Sequence, residues 1–197
     1  PDWMVHGVTS AAQLNPLLER CSVLVIGPGL GRDSWARELW QSCMSWRTAK
    51  VIDADGLNLL AEHRVNAEHA VLTPHPGEAA RLLNQSSAAI NADRFAAARS
   101  LTALTGNSGA TVLKGAGSIV DDGHSYALST AGNPGMASGG MGDILSGMIG
   151  AFLAQGLDPS RAARCGVEAH GQAADSAARQ RGERSLLASD LLQEIRL

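Results

Sequence analysis

The sequence predicts an α/β fold in which a mostly parallel sheet is covered by helices on both faces. Short apolar runs alternate along the chain with longer segments whose apolar residues recur at helical spacing. Glycine or a polar residue follows each of the first four runs, where parallel strands would end at a ligand-binding edge. With 45% hydrophobic and 18% charged residues, we expect one domain spanning residues 1–197.

Six apolar runs are predicted to be strands. The first four lie at residues 22–26, 50–53, 70–73 and 110–113. The run at 22–26 is continuous and rich in β-branched residues, which predicts a strand buried on both faces of the sheet. The runs at 118–120 and 126–128 flank the turn-forming sequence Asp-Asp-Gly and predict a hairpin.

Helices are predicted between the strands, because capping residues and prolines mark their first turns. They are a short helix capped by Thr9 or Ser10, one capped by Asp33, a brief one within 54–60, one from Pro76, one from about Asn91 to Gly106, one over 144–153, a long one from Pro159 to Gly182 and a final one capped by Ser189. In the helix from Asn91, we expect Phe95 to face the core.

The glycine-rich segment 132–147 is the most informative stretch for function. It leads directly into the helical pattern at 144–153, so its glycines form a loop that opens a buried helix. Free amides at a helix N-terminus attract anions, phosphate above all. Asp143 places one carboxylate there, either as a proton acceptor for a substrate hydroxyl or only as an N-cap, and the segment alone leaves both interpretations open.

Two acidic residues and a glycine turn follow the first strands. The turn Gly27-x-Gly29-x-Gly31 differs in spacing from the dinucleotide-binding fingerprint and is equally consistent with a tight strand-to-helix turn. Asp53 and Asp55 could help to hold Mg2+ through water, although capping of the following helix is the favoured interpretation.

Other candidate residues follow the third and fourth strands. His75 lies between two prolines, which makes its backbone rigid, and Glu78 falls in the first turn of a helix, where it could simply complement the helix dipole. Lys114 precedes Gly-Ala-Gly and suits phosphate binding, or it is a lysine that snorkels from a strand end. Together with the glycine-rich helix start, these residues indicate phosphoryl transfer. In that reaction a metal ion would bind the phosphates, and Asp143 would accept the proton of the substrate hydroxyl.

Composition argues against several other functions. The net charge of −3 gives no electrostatic reason to expect nucleic acid or an anionic membrane as a partner. No apolar run is long enough for a transmembrane helix, and we expect a cytoplasmic protein. Cys21, Cys43 and Cys165 are widely spaced and are expected to be core or near-core thiols in a reducing compartment, neither disulfides nor metal ligands.

Five segments together resemble the ADP- or ATP-dependent NAD(P)H-hydrate dehydratases. They are residues 25–31, 53–60, 72–78, 113–117 and 132–143, in matching order and approximate spacing. The resemblance implies a ribokinase-like three-layer α/β/α fold with a mostly parallel central sheet. It also implies a carbon–oxygen lyase that phosphorylates the ring hydroxyl of hydrated NADH or NADPH (NADHX or NADPHX) with ADP or ATP, and then eliminates phosphate to restore NAD(P)H.

The resemblance also implies roles for individual residues. Asp143 is expected to be the base, and Gly140, Met141 and Gly142 are expected to form the anion hole. The expected nucleotide-binding residues are Lys114, Gly115, Ala116, Gly117, Ser118 and Gly142, and the expected substrate-binding residues are Gly29, Gly31, His75 and Asp143. Glu78 is expected to help to organise Mg2+. His75-x-x-Glu78 stands where related kinases of small molecules carry Asn-x-x-Glu.

Family members begin with further strands and helices that contribute to the substrate pocket, so we expect this chain to be an N-terminally truncated fragment. The resemblance further implies a homo-oligomer, a tetramer or larger, and an epimerase domain in the full-length protein. Two alternatives remain open: an ATP-dependent kinase of a small alcohol, such as a vitamin precursor or a sugar, and a nucleotide-binding fragment without turnover. The preferences for ADP or ATP and for NADHX or NADPHX also remain open.

Overall fold

The computed structural model describes residues 4–106 and 108–195, and these residues form an α/β structure around one six-stranded sheet. The strands are β1 (Val23–Ile26), β2 (Ala49–Ile52), β3 (Ala70–Leu72), β4 (Ala110–Leu113), β5 (Ile119–Asp121) and β6 (Tyr126–Leu128). All six predicted strands are therefore confirmed, with bounds that shift by one residue at some ends.

The α-helices of the described residues alternate with the first strands and then cover the sheet. They are α1 (Ala11–Leu18), α2 (Ser34–Ser45), α3 (Ala54–His63), α4 (Pro76–Leu83), α5 (Ser87–Ala92), α6 (Arg94–Thr102), α7 (Met141–Ala154), α8 (Pro159–Arg181) and α9 (Ala188–Leu191). Among these described residues, no helix combines the length and the apolar character that a membrane span requires.

The strands lie in the sheet in the order in which they occur along the chain. Strands β1 to β4 are parallel, whereas β5 and β6 are antiparallel to their neighbours. The carboxyl ends of β1 to β4 therefore meet at one edge of the sheet. At that edge lie the turn 27–31, the start of α3, the start of α4 and the β4–β5 loop, residues 114–118.

Alternation of side chains along the strands separates two cores and produces three layers. Ile52 and Leu72 pack on one face with Trp40 and Leu57 from the helices α2 and α3. Val51, Val71 and Val112 pack on the other face with Ile149 of α7 and Val167 of α8. The predicted three-layer arrangement with a mostly parallel sheet is confirmed.

Several local predictions are wrong. Val25 is 44% exposed, because β1 lies at an edge of the described sheet and is not buried on both faces. Phe95 is exposed and meets Tyr126 edge-on at 5.2 Å between ring centroids. The predicted continuous helix from Asn91 is broken at Asp93, whose side chain caps α6 by accepting the amide of Ala96.

Side-chain capping at the predicted helix starts is confirmed for two helices and not for two others. Asp33 accepts the amide of Ala36 as predicted, and Asp158 caps α8. Ser10 occupies the N-cap position of α1 without a side-chain hydrogen bond. Ser189 lies inside α9 and is not its cap. The N-cap residue is Leu187, and its backbone N–H donates a hydrogen bond to the side chain of Asp190.

The three cysteines are free thiols, as predicted, but they do not share one environment. Cys43 is buried in the core against α1 and β1, and burial raises its pKa to about 11. Cys21 and Cys165 are exposed, so the prediction of a core or near-core position is wrong for both.

Candidate active site at the head of helix α7

Helix α7 begins at the parallel edge of the sheet with an open N-terminus. Gly140 is its N-cap, with a φ of +84° that favours glycine, and no described side chain caps the helix. The amide of Ile144 donates to Gly140 O at 3.2 Å, so the amides of Met141, Gly142 and Asp143 precede the first bonded turn. These three amides can receive an anion. They include those of Met141 and Gly142 from the predicted anion hole, whereas Gly140, its third predicted member, is the N-cap.

Asp143 is the third residue of α7, and its side chain is exposed. The N-cap interpretation of Asp143 is wrong, because Gly140 holds that position. Among the described residues, Asp143 has no hydrogen-bond or ion-pair partner. Asp143 therefore presents an exposed carboxyl group in the first turn of α7, with no described side chain or backbone group occupying it.

A buried ion pair lies directly beneath the head of α7. Lys114 Nζ donates to Asp53 Oδ1 at 2.7 Å, and Ser146 Oγ donates to Asp53 Oδ2 at 2.7 Å. Asp53 is 1% exposed, and a Cβ at Gly142 would lie 3.2 Å from the Lys114 ammonium. The ammonium is therefore held by Asp53 beside Gly142, and glycine at position 142 leaves room for it.

The favoured interpretation of the two aspartates as helix caps is wrong. Asp53 occupies the N-cap position of α3 but makes no side-chain cap bond. Asp55 accepts the amide of Gly31 through Oδ2 at 2.9 Å, which ties the glycine turn to the first turn of α3. Gly27 has a φ of +125°, and a Cβ there would lie 1.8 Å from Asp53 O, so only glycine permits this close approach.

His75 and Glu78 form a reciprocal cap at the start of α4. His75 Nδ1 accepts the amide of Gly77 at 3.0 Å, and the His75 amide donates to Glu78 Oε2 at 2.8 Å. The acceptor role of Nδ1 assigns the ring proton to Nε2, which lies 3.4 Å from Glu78 Oε1. Glu78 Oε2 is 4.0 Å from Lys114 Nζ, so the ammonium lies near two carboxylates.

A cavity of about 910 Å³ opens beside this group and is large enough for a nucleotide. Its walls come from the β4–β5 loop, residues 128–134 and 136–138, the start of α7 and one side of α8. The predicted residues that line it are His75, Lys114, Gly115, Ala116, Gly117, Ser118, Met141 and Gly142. In the described part of the chain, Gly29, Gly31, Glu78, Gly140 and Asp143 lie outside its lining.

Sequence reasoning missed two parts of the cavity. Residues 129–131 directly follow β6 and carry no motif, and His170 comes from the middle of α8. Burial lowers the pKa of His170 to about 4, and the charge of Lys114 acts in the same direction. His170 is therefore neutral at physiological pH, and its Nε2 is buried without a hydrogen-bond partner among the described residues.

The described residues contain no cluster of three or more histidine, cysteine, aspartate or glutamate side chains suited to a metal ion. The nearest carboxylates, Asp53 and Glu78, are already bonded to Lys114 and to the His75 amide. Mg2+ often keeps several waters and binds through one or two carboxylates plus phosphate oxygens. This site therefore fits a Mg2+ that arrives with nucleotide phosphates, and Glu78, the less buried of the two carboxylates, is the candidate ligand for it.

The parallel α/β sheet, the glycine-rich start of α7 and the adjoining cavity define a protein of the ribokinase-like class. The family model described as NAD(P)H-hydrate dehydratase matches residues 1–197. The chain belongs to that family, which confirms the resemblance predicted from the sequence motifs.

Individual proteins resemble this chain in sequence and in structure. The chain is 49% identical over 198 residues to the bifunctional NAD(P)H-hydrate repair enzyme of Coxiella burnetii, covering all of this chain and 40% of that protein. A ribokinase-like superfamily protein from Enterococcus faecalis is 27% identical with a TM-score of 0.82, over 93% of this chain and 64% of that one. An ADP/ATP-dependent NAD(P)H-hydrate dehydratase from Bacillus subtilis, co-crystallised with ATP/Mg2+, is 26% identical with a TM-score of 0.76, over 88% of this chain and 62% of that one.

Proposed function

We propose that this chain carries the ADP- or ATP-dependent dehydration of hydrated NADH or NADPH. The observation that supports it is the head of α7, where Met141, Gly142 and Lys114 line a cavity of about 910 Å³. Asp143, whose carboxylate has no partner among the described residues, lies in the same first turn of the helix. Family membership supports the choice of substrate. Because the chain spans about 40% of the length of the bifunctional relative, the activity of the whole protein is part of the proposal.

In the first step, the hydroxyl oxygen of the hydrated nicotinamide ring attacks the terminal phosphorus of the nucleotide. Asp143 accepts the hydroxyl proton, and the bond to the leaving nucleotide breaks, releasing AMP from ADP or ADP from ATP. The amides at the head of α7 and the ammonium of Lys114 stabilise the charge that develops on the transferred group. Mg2+ bound with the nucleotide supplies further neutralisation of phosphate charge.

In the second step, phosphate leaves the ring carbon while the neighbouring carbon loses a proton to the departing phosphate, which restores the ring double bond. Phosphorylation is needed because hydroxide is a poor leaving group and phosphate is a good one. Two phosphate-binding features of the chain, the open helix N-terminus and the β4–β5 loop, serve the first step.

The assignment of the remaining residues belongs to the same proposal. The cavity takes the adenine nucleotide, with its phosphates against Lys114 and the β4–β5 loop. The hydrated nicotinamide lies on the Asp143 side of α7, near Gly29 and Gly31, whose missing Cβ atoms face open space. We also propose a cytoplasmic homo-oligomer and, in the full-length protein, a fused epimerase domain of the kind that the bifunctional relatives suggest.

To test the proposal, the chain is incubated with hydrated NADH, Mg2+ and ADP, and the absorbance of the dihydronicotinamide ring is monitored. We expect the absorbance to return with one AMP and one phosphate formed per ring restored, and to stay flat without nucleotide. A flat trace with ADP and with ATP contradicts the proposal. Phosphorylation of a small alcohol in that case indicates the kinase alternative, and nucleotide binding without turnover indicates a silent fragment.

A further inference from the structure

One guanidinium holds the backbone of the β4–β5 loop. Arg94 is the first residue of α6, and its Nη2 donates to Leu113 O at 3.3 Å and to Gly117 O at 2.8 Å. Its Nη1 donates to Ala116 O at 3.0 Å. Two carbonyls of the loop and the carbonyl of the last residue of β4 are therefore bound by a residue that lies about twenty positions earlier in the chain.

The direction of these carbonyls fixes the direction of the amides. In a trans planar peptide, the N–H of one residue points opposite to the C=O of the residue before it. Because the carbonyls of Ala116 and Gly117 point at Arg94, the amides of Gly117 and Ser118 point away from it. Gly115 to Ser118 line the cavity, and Arg94 is not among its described lining residues, so these amides face the cavity side of the loop.

The loop needs such support because its sequence is intrinsically mobile. Gly115 has a φ of +155° and Gly117 a φ of +70°, conformations that only glycine adopts readily, and glycine loses the most conformational freedom on ordering. A Cβ at Gly115 would lie 2.9 Å from Arg94 Nη2, so the guanidinium packs directly against the glycine backbone. A planar guanidinium can bind several acceptors in fixed geometry, whereas a lysine ammonium cannot reproduce that fork.

We propose that Arg94 is a positioning residue for phosphate binding, since it holds the β4–β5 loop with its amides aimed at the bound nucleotide before the nucleotide arrives. Ordering the loop in advance lowers the free-energy cost of binding. The inference rests on the proposed function, because it takes the cavity to be an adenine-nucleotide site. Arg94 acts only through the loop and does not touch the reacting atoms.

The test compares Arg94→Lys with Arg99→Lys, the same substitution on the same helix. Arg99 binds Asp121 and stacks over Tyr126, away from the loop. We expect Arg94→Lys to weaken ADP binding, measured by calorimetry, about tenfold, which is the lower end of what one hydrogen bond to a charged group contributes. Arg99→Lys should leave the Kd for ADP within about twofold of the wild type.

Two further readouts separate positioning from a merely structural role. At saturating ADP, kcat of Arg94→Lys should stay near the wild-type value while KM for ADP rises, because the proton transfer at Asp143 is untouched. Without nucleotide, hydrogen exchange of the amides in residues 114–118 should be faster in Arg94→Lys and unchanged in Arg99→Lys.

The outcomes distinguish this inference from the proposed function. If the wild type binds ADP and restores NADH, but Arg94→Lys binds ADP as tightly as Arg99→Lys, the Arg94 inference is wrong and the function stands. Lower thermal stability of Arg94→Lys with unchanged Kd and unchanged loop exchange likewise overturns it. If the wild type binds no adenine nucleotide, the proposed function fails, and the inference fails with it.

Discussion

The buried ion pair beneath α7 predicts that Asp53→Asn strongly destabilises the protein. Asp53 is 1% exposed and bonds to both Lys114 and Ser146 at 2.7 Å. Replacing its carboxylate by an amide leaves the Lys114 ammonium, whose side chain is only 20% exposed, without its closest counter-charge. The loss should be observed in the free energy of unfolding, measured by urea denaturation.

The size of the loss in the free energy of unfolding depends on which groups still surround the Lys114 ammonium after the substitution. Removing one partner of a buried pair typically costs about 3–5 kcal/mol. Glu78 lies 4.0 Å from Lys114 Nζ and offers a second carboxylate, and the amide that replaces the carboxylate would keep a hydrogen bond to Ser146, so we expect the lower end, about 3 kcal/mol. For a chain of this length that corresponds to a melting temperature about 6–12 °C lower.

A double-mutant cycle tests the cause. Lys114→Met should also be destabilising, and the pair Asp53→Asn with Lys114→Met should cost about 2 kcal/mol less than the sum of the single changes. Asp33→Asn is the control, because asparagine and aspartate are equivalent caps for α2, and its effect should stay within about 0.5 kcal/mol. A loss below about 1 kcal/mol for Asp53→Asn, or additive single changes, would refute the reasoning.

Two further predictions concern buried titratable groups. The pKa of His170 is lowered from 6.5 to about 4 by burial, so the unfolded chain binds a proton that the folded chain does not between these values. The free energy of unfolding should therefore decrease by up to about 3 kcal/mol as the pH falls from about 6.5 to about 4, and this decrease should be absent in His170→Gln, measured by urea denaturation across that range. Cys43 should resist a thiol reagent at pH 8 until the protein unfolds, because its thiol is buried with a pKa of about 11, whereas the two exposed cysteines react in the native state; rapid labelling of all three thiols would contradict this.

The fold could be predicted from the sequence because its signals are local. Each strand is a short apolar run, and each of the first three strands is followed by a helix with its own periodicity, so the alternation indicates a mostly parallel sheet. The error at Phe95 is also local: six residues separate it from Leu101, about one and two-thirds helical turns, so the two side chains point in different directions.

The site could be predicted only where its parts are adjacent in sequence. The glycines and Asp143 at the head of α7 lie within one segment, so their role could be inferred from it. The ion pair between Asp53 and Lys114 joins residues 61 positions apart, and an aspartate before a helix is equally consistent with a cap. Arg94 carries no motif at all, and its role depends on how α6 lies against the β4–β5 loop.

The most direct test of the central claim is turnover of hydrated NADH with ADP by Asp143→Asn, with Asp158→Asn as the control at an exposed helix cap. Asp143 is exposed and has no partner among the described residues, so thermal stability and ADP affinity should remain close to the wild type. We expect Asp143→Asn to lose turnover by about a hundredfold or more, on the scale of a lost general base. Turnover equal to that of Asp158→Asn would contradict it.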